Sequence, residues 1–205
     1  MKYPGTLYVI SAPSGAGKTS LVRALVADDP RVLLSISHTT RLPRPGEQDG
    51  VHYHFVSKSA FQAIRERNAF LECAHVFGND YGTSREWLTE KLCHGVDIIL
   101  EIDWQGARQV RKEVSGCMGI FVLPPSRDAL TQRLLDRGQD DESVIAERMQ
   151  KAESELSHFD EFDYLIVNDD FDTALSDLRA IFQAERLRQF RQALRYRSLL
   201  NSLLE

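Results

Sequence analysis

The sequence predicts an α/β fold in three layers, with a parallel β-sheet as its core. Apolar, β-branched runs stand at Thr6–Ile10, Val96–Ile102, Gly119–Leu123 and Tyr164–Val167, too continuous for strands with one wet face and suited to strands covered on both. Segments of helical periodicity separate these runs, the alternation that brings strands side by side in parallel. A glycine-rich turn joins the first run to the first helix.

The first helix is expected from about Lys18, where Leu21, Val22, Leu25 and Val26 form an apolar stripe that Pro30 ends. Texture then changes: Pro43, Pro45, Gly46, Gly50, Gly78 and Gly82 punctuate a polar, aromatic stretch that reads as an inserted lobe. Within it Ser59–Arg67 predicts a short helix, Thr83 with Glu86 a capping box for the next, and Gly95 that helix's end. Pro124 and Pro125 break the third apolar run, after which Ser126 caps a helix carrying Ala129, Leu130 and Leu134 inward as far as Gly138. Val144, Ile145, Met149, Ala152 and Leu156 mark another helix. From Thr173 onward Leu175, Leu178, Phe182, Leu187, Phe190, Leu194 and Leu203 recur at helical spacing, which predicts one long amphipathic C-terminal helix packed on the core or on a second copy of the chain.

Composition narrows the function classes. The 205 residues carry 25 Lys and Arg against 30 Asp and Glu, a net charge of −5, which argues against nucleic acid or an anionic membrane as partner. No apolar run approaches the roughly 20 residues that span a bilayer, and MKYPGTLYVI lacks the pattern of a secretory signal; a cytoplasmic protein is expected. Cys73, Cys93 and Cys117 are odd in number and form no CxxC pair, so free thiols are expected. Cys73 with His75, and Cys93 with His94, do not supply four zinc donors at a familiar spacing.

The strongest chemical signal is Ala12, Pro13, Ser14, Gly15, Ala16, Gly17, Lys18 and Thr19, which matches the phosphate-binding pattern GxxxxGK[ST] except for Ala12 at the first glycine. Small residues let backbone N–H groups converge on phosphate oxygens, a lysine reaches the β and γ phosphates, and a hydroxyl can ligate Mg²⁺. The setting, after a strand and opening a helix, is the one this chemistry requires. Ala12 is tolerable where φ is negative. Glu101 and Asp103 end an apolar strand, where carboxylates beside such a loop would hold Mg²⁺ or its waters.

Longer motifs are more specific. SISHTTRLPRPGEQDGVHYHF at 35–55, FLECAHVFGNDYGTSRE at 70–86, ILEIDWQGA at 99–107, VLPPS at 122–126, RLLDRGQDDESVIAERM at 133–149 and YLIVNDDFDTAL at 164–175 together make the chain resemble guanylate kinases of the bacterial type over nearly its whole length. The resemblance implies one domain: a P-loop core at 1–35, 85–124 and 158–205, an inserted GMP-binding lobe at 36–84 and a helical lid at 125–157. It implies ATP as phosphoryl donor, GMP as acceptor, Mg²⁺ as cofactor, and transfer without a covalent enzyme intermediate. Arg41 and Arg44 would grip the GMP phosphate with help from Tyr53 and Tyr81, while Glu72 would read guanine with Ser37, Gly82, Thr83 and Glu101. Lys18, Arg41, Arg133, Arg137 and Arg148 would neutralise the transferring phosphoryl group, Asn168 would join the loop in binding ATP, and Thr19 would ligate the metal, with Asp103 holding it through water. Two positions depart from the common pattern: Glu101 replaces an aspartate, and Asp80 a tyrosine. A kinase for AMP or UMP, or a non-catalytic interaction module of the same fold, are the alternatives.

Overall fold

The computed structural model describes residues 4–76, 78–135 and 142–205, the side chains of 142–147 excepted. Strand β1 (Leu7–Ser11), helix α1 (Lys18–Asp28) and β2 (Val32–Leu34) come first. A smaller sheet follows, made of β3 (His38–Thr39), β4 (His54–Phe55), β5 (Phe70–Val76) and β6 (Asn79–Ser84), with α2 (Lys58–Glu66) inserted between β4 and β5. The chain returns through α3 (Arg85–Cys93), β7 (Asp97–Glu101), α4 (Trp104–Glu113) and β8 (Met118–Leu123). Helices α5 (Arg127–Leu135) and α6 (Glu142–Leu156) precede β9 (Tyr164–Val167), and α7 (Phe171–Arg186), α8 (Gln189–Arg195) and α9 (Arg197–Leu204) complete the order.

The main sheet runs β2-β7-β1-β8-β9 with every neighbour parallel. Strand alternation sorts its side chains onto two faces. Tyr8, Ile10, Ile99, Ile120 and Ile166 pack with Leu21, Leu25, Leu178 and Phe182 of α1 and α7, and the Tyr8 ring stacks on Phe182 with centroids 3.7 Å apart. Leu7, Val9, Ile98 and Leu100 pack instead with Leu88, Leu92, Ala107 and Val110 of α3 and α4. The result is the three-layer α/β architecture that the uninterrupted apolar runs demand. Because β1 and β7 are parallel neighbours in the register Ile10↔Glu101, the turn after β1 emerges beside the end of β7. That edge is where a parallel sheet carries its ligands.

Local details differ from the sequence reading. Strand β2 was not expected, since three residues are too few to show a period. Ser84, not Thr83, caps α3, accepting from Trp87 N–H at 3.5 Å; Thr83 lies in β6 with its hydroxyl turned to Glu72. The cap at Ser126 is present, accepting from Ala129 N–H at 3.0 Å, whereas Gly138 lies outside the described residues. The single C-terminal helix is three helices, broken at Arg188 (φ −55, ψ 136) and Tyr196 (φ −107, ψ 26). Leu175, Leu178 and Phe182 are buried, but Leu187, Leu194 and Leu203 are 58%, 43% and 70% exposed. Apolar spacing hides the reason, which is polar: Glu185 holds Arg188 and the Tyr164 hydroxyl, while Arg191 turns inward to Asp97 and the Pro4 carbonyl. Among the described residues no helix is long and apolar enough to cross a membrane.

Candidate active site

The glycine-rich loop is shaped by two residues with positive φ, Gly15 at 94° and Gly17 at 90°, a region costly for any side chain. Ala12 is not among the positive-φ residues, which explains how alanine fits there. Asn168, 5% exposed, donates its amide N–H to the Ala16 carbonyl at 2.7 Å. A Cβ on Gly17 would stand 2.2 Å from that amide nitrogen. Asn168 therefore braces the loop, a bond that spacing along the chain could not reveal. A cavity of about 230 Å³ opens over the loop, lined by Ala12 to Gly15, Gly17 to Ser20, and Glu155.

Glu155 is the residue that sequence reasoning missed here. It projects from α6 and accepts from Ser14 N–H at 3.2 Å, so a carboxylate oxygen stands at one of the loop's backbone donors. Burial pushes its pKa up, opposed by the Lys18 charge and the Ser14 bond, with Asp103 adding repulsion. Nothing in the polar run ESEL signals this placement. On the other side of the loop the Thr19 hydroxyl donates to Glu101 at 2.9 Å. Asp103 caps α4, accepting from Gly106 N–H at 2.9 Å. These are hard oxygen donors, few in number, the set that suits Mg²⁺ sharing its remaining positions with phosphates and water. Among the described residues no group of three or more His, Cys, Asp or Glu could form an all-protein cage.

The second half of the site lies where the smaller sheet meets α4. Gln109 clamps α4 to β5, accepting from the Cys73 backbone N–H at 3.1 Å and donating to its carbonyl at 2.8 Å. Glu72, next along β5, is 3% exposed and accepts from the Thr83 hydroxyl at 2.7 Å. Gly106 lets α4 approach, since a Cβ there would lie 3.1 Å from the Glu72 carboxylate. Burial raises the Glu72 pKa from 4.5 to about 7, relieved in part by Thr83 and increased by the nearby charge of Asp103. A buried carboxylate bonded through Thr83 keeps unused acceptor capacity, and a ligand with N–H donors would supply what is missing.

The turn after β3 carries Arg41. Arg41 donates to both oxygens of Glu47, at 2.7 and 2.9 Å, and its guanidinium lies 5.3 Å from the Tyr53 ring centre. Tyr53 and Tyr81 meet edge to face at 5.9 Å. Glu47, not anticipated from the sequence, also accepts from Arg44 N–H at 2.7 Å and so organises the turn bearing both arginines. Asp80 supports the same turn: its carbonyl accepts from the Thr39 hydroxyl at 3.0 Å and from Thr40 N–H at 3.1 Å. The Arg44 side chain is exposed and Ser37 half-buried, Ser37 accepting from His54 N–H at 2.9 Å through its carbonyl. Gly82 has a packing role, because a Cβ would come within 3.0 Å of the Phe70 ring.

Of the three arginines expected in a lid, Arg133 donates to the Asn168 carbonyl at 3.0 Å, and its buried Nη1 has no partner. Arg148 is half-buried on α6, and Arg137 lies outside the described residues.

Comparison with known proteins agrees across the chain. The guanylate kinase family model matches residues 4–185. A guanylate kinase from Alkalilimnicola ehrlichii is 63% identical over 189 residues, 92% of this chain and 93% of its own. One from Photobacterium profundum is 55% identical over 98% of this chain and 97% of its own. The crystal structure of guanylate kinase from Anaplasma phagocytophilum superposes with a TM-score of 0.75 at 31% identity, covering 93% of this chain and 90% of that one.

Proposed function

The chain belongs to the guanylate kinase family, and from that premise we propose how its residues phosphorylate GMP with ATP. The reaction is ATP + GMP giving ADP + GDP, a nucleoside monophosphate kinase reaction. The acceptor is already an anion, so no strong general base is required, and catalysis reduces to positioning and charge neutralisation.

Glu72 reads the base. Guanine presents N1–H and its 2-amino group as donors, which meet the unused acceptor capacity of a buried carboxylate held by Thr83; adenine presents an acceptor at N1 and would leave that carboxylate unpaired. Arg41 exchanges Glu47 for the GMP phosphate, keeping a forked, charge-assisted geometry, with Arg44, Tyr53 and Tyr81 alongside. The loop amides and Lys18 take the ATP phosphates once Glu155 has withdrawn from Ser14. Arg133, Arg137 and Arg148 of the lid segment add positive charge as the nucleotides come together, and closure excludes water that would otherwise hydrolyse ATP. Mg²⁺ would be held by Thr19, with Asp103 or Glu101 acting through water, and would neutralise phosphate charge when bound.

What carries this reading is the end of β7. Glu101 is bonded to Thr19 of the phosphate loop, and two residues on Asp103 bears electrostatically on both Glu72 and Glu155. A donor site and an acceptor site therefore share one strand terminus. A cytoplasmic location, no nucleic-acid partner and association through the leucines of α8 and α9 belong to the same reading. Rates with GMP and AMP measured side by side test it: selectivity for GMP on the order of 10⁴-fold is expected, and comparable kcat/KM values would overturn the role of Glu72.

A further inference from the structure

We propose that an arginine-lined cavity at the opposite edge of the main sheet binds a small anion carrying two or more phosphoryl groups. The cavity measures about 530 Å³, and Arg31, Arg186, Arg191, Arg195, Arg197 and Asp97 line it. Its size falls within the roughly 300–1,000 Å³ of small-molecule sites. Asp97 begins β7 and Glu101 ends it, so about 13 Å of strand separates this cavity from the phosphate loop.

Two guanidiniums are fixed there with donors to spare. Arg191, its side chain 8% exposed, donates through Nε and Nη2 to the Pro4 carbonyl at 3.1 and 2.5 Å and through Nη2 to Asp97 at 2.9 Å. Its buried Nη1 has no partner. Arg186 donates through Nε to Asp97 at 2.7 Å and through Nη1 to Asp29 at 2.5 Å, and its buried Nη2 has no partner either. Buried donors without acceptors are uncommon because each forfeits its hydration, and both guanidiniums that carry them line the cavity.

Charge points the same way. Asp29 and Asp97 are the carboxylates bonded to these arginines, and both are spent on Arg31, Arg186 and Arg191. Arg195 and Arg197 are exposed at the same cavity, leaving five guanidiniums against two carboxylates in a chain whose net charge is −5. A surplus of that size suits an oligophosphate better than a single phosphate group.

Calorimetric titration of pyrophosphate and of ADP into the 205-residue Lys18→Ala chain, in which the phosphate loop is weakened, tests the site against its Arg195→Ala/Arg197→Ala derivative. Both of those arginines are exposed, so the fold does not depend on burying them. The double substitution is expected to weaken binding at least tenfold while leaving kcat for GMP unchanged in a protein with Lys18 intact. Loss for both ligands identifies the phosphate chain as what is read; loss for ADP, with no pyrophosphate binding, identifies a nucleoside diphosphate. Affinities for both ligands that ignore the double substitution, or no binding of either, would overturn the proposal.

Discussion

Replacing Glu72 by glutamine should make the fold more stable at neutral pH and the enzyme worse. With a pKa of about 7 in the fold against an ordinary 4.5, Glu72 binds its proton more tightly folded than unfolded. The stability this contributes is complete below about pH 4.5 and is lost as pH rises to about 7. The step from 4.5 to about 7 corresponds to about 3 kcal/mol, and glutamine has no such loss. The stability gap between variant and wild type should therefore open by up to about 3 kcal/mol between pH 4.5 and 7.5, about 6–12 °C in Tm for a chain of this size, and then level off. Urea unfolding of both proteins across that range measures it, and taking the difference cancels the other titrating groups. If GMP holds the carboxylate ionised, wild-type affinity for GMP should also rise about tenfold from pH 6 to pH 8, beyond the smaller change due to the phosphate's own ionisation near pH 6. Glutamine should lose that dependence and about 10³-fold in kcat/KM for GMP. A stability gap that stays flat with pH, together with unchanged GMP kinetics, would refute the reasoning.

Two further outcomes follow from the phosphate loop. Glu155→Gln should tighten ADP binding several-fold in direct titration, since a carboxylate accepting from Ser14 N–H competes with phosphate for the same donors; weaker binding would show that Glu155 supports the nucleotide instead. Gly17→Ala should abolish ATP binding and lower stability by about 1–3 kcal/mol, because the new Cβ meets both a positive φ and the Asn168 amide at 2.2 Å; a melting temperature and ADP affinity like those of wild type would contradict that.

Much of this architecture was legible because its determinants are local. The strand at Tyr164–Val167 falls on the predicted residues, and the phosphate loop announces itself by Gly15, Gly17, Lys18 and Thr19. The residues that motifs point to as Glu72 and Thr83 do lie 2.7 Å apart from side-chain oxygen to side-chain oxygen. What stayed hidden depends on contacts between distant segments. Glu155 reaches Ser14 across 141 positions, and Asn168 reaches Ala16 across 152. Glu47 belongs to no pattern of its own, and its pairing with Arg41 exists only in the folded turn. The C-terminal helices failed for a related reason: hydrophobic spacing registers leucines but not the pull of Asp97 on Arg191.

The central claim is that the loop after β1 holds the phosphates that are transferred. Steady-state phosphorylation of GMP by Lys18→Ala, with circular dichroism and melting to establish an intact fold, tests it most directly. A fall in kcat/KM of about 10³-fold or more is expected from removing a charged donor at the reacting phosphate. Activity within a few-fold of the unaltered protein would contradict the account.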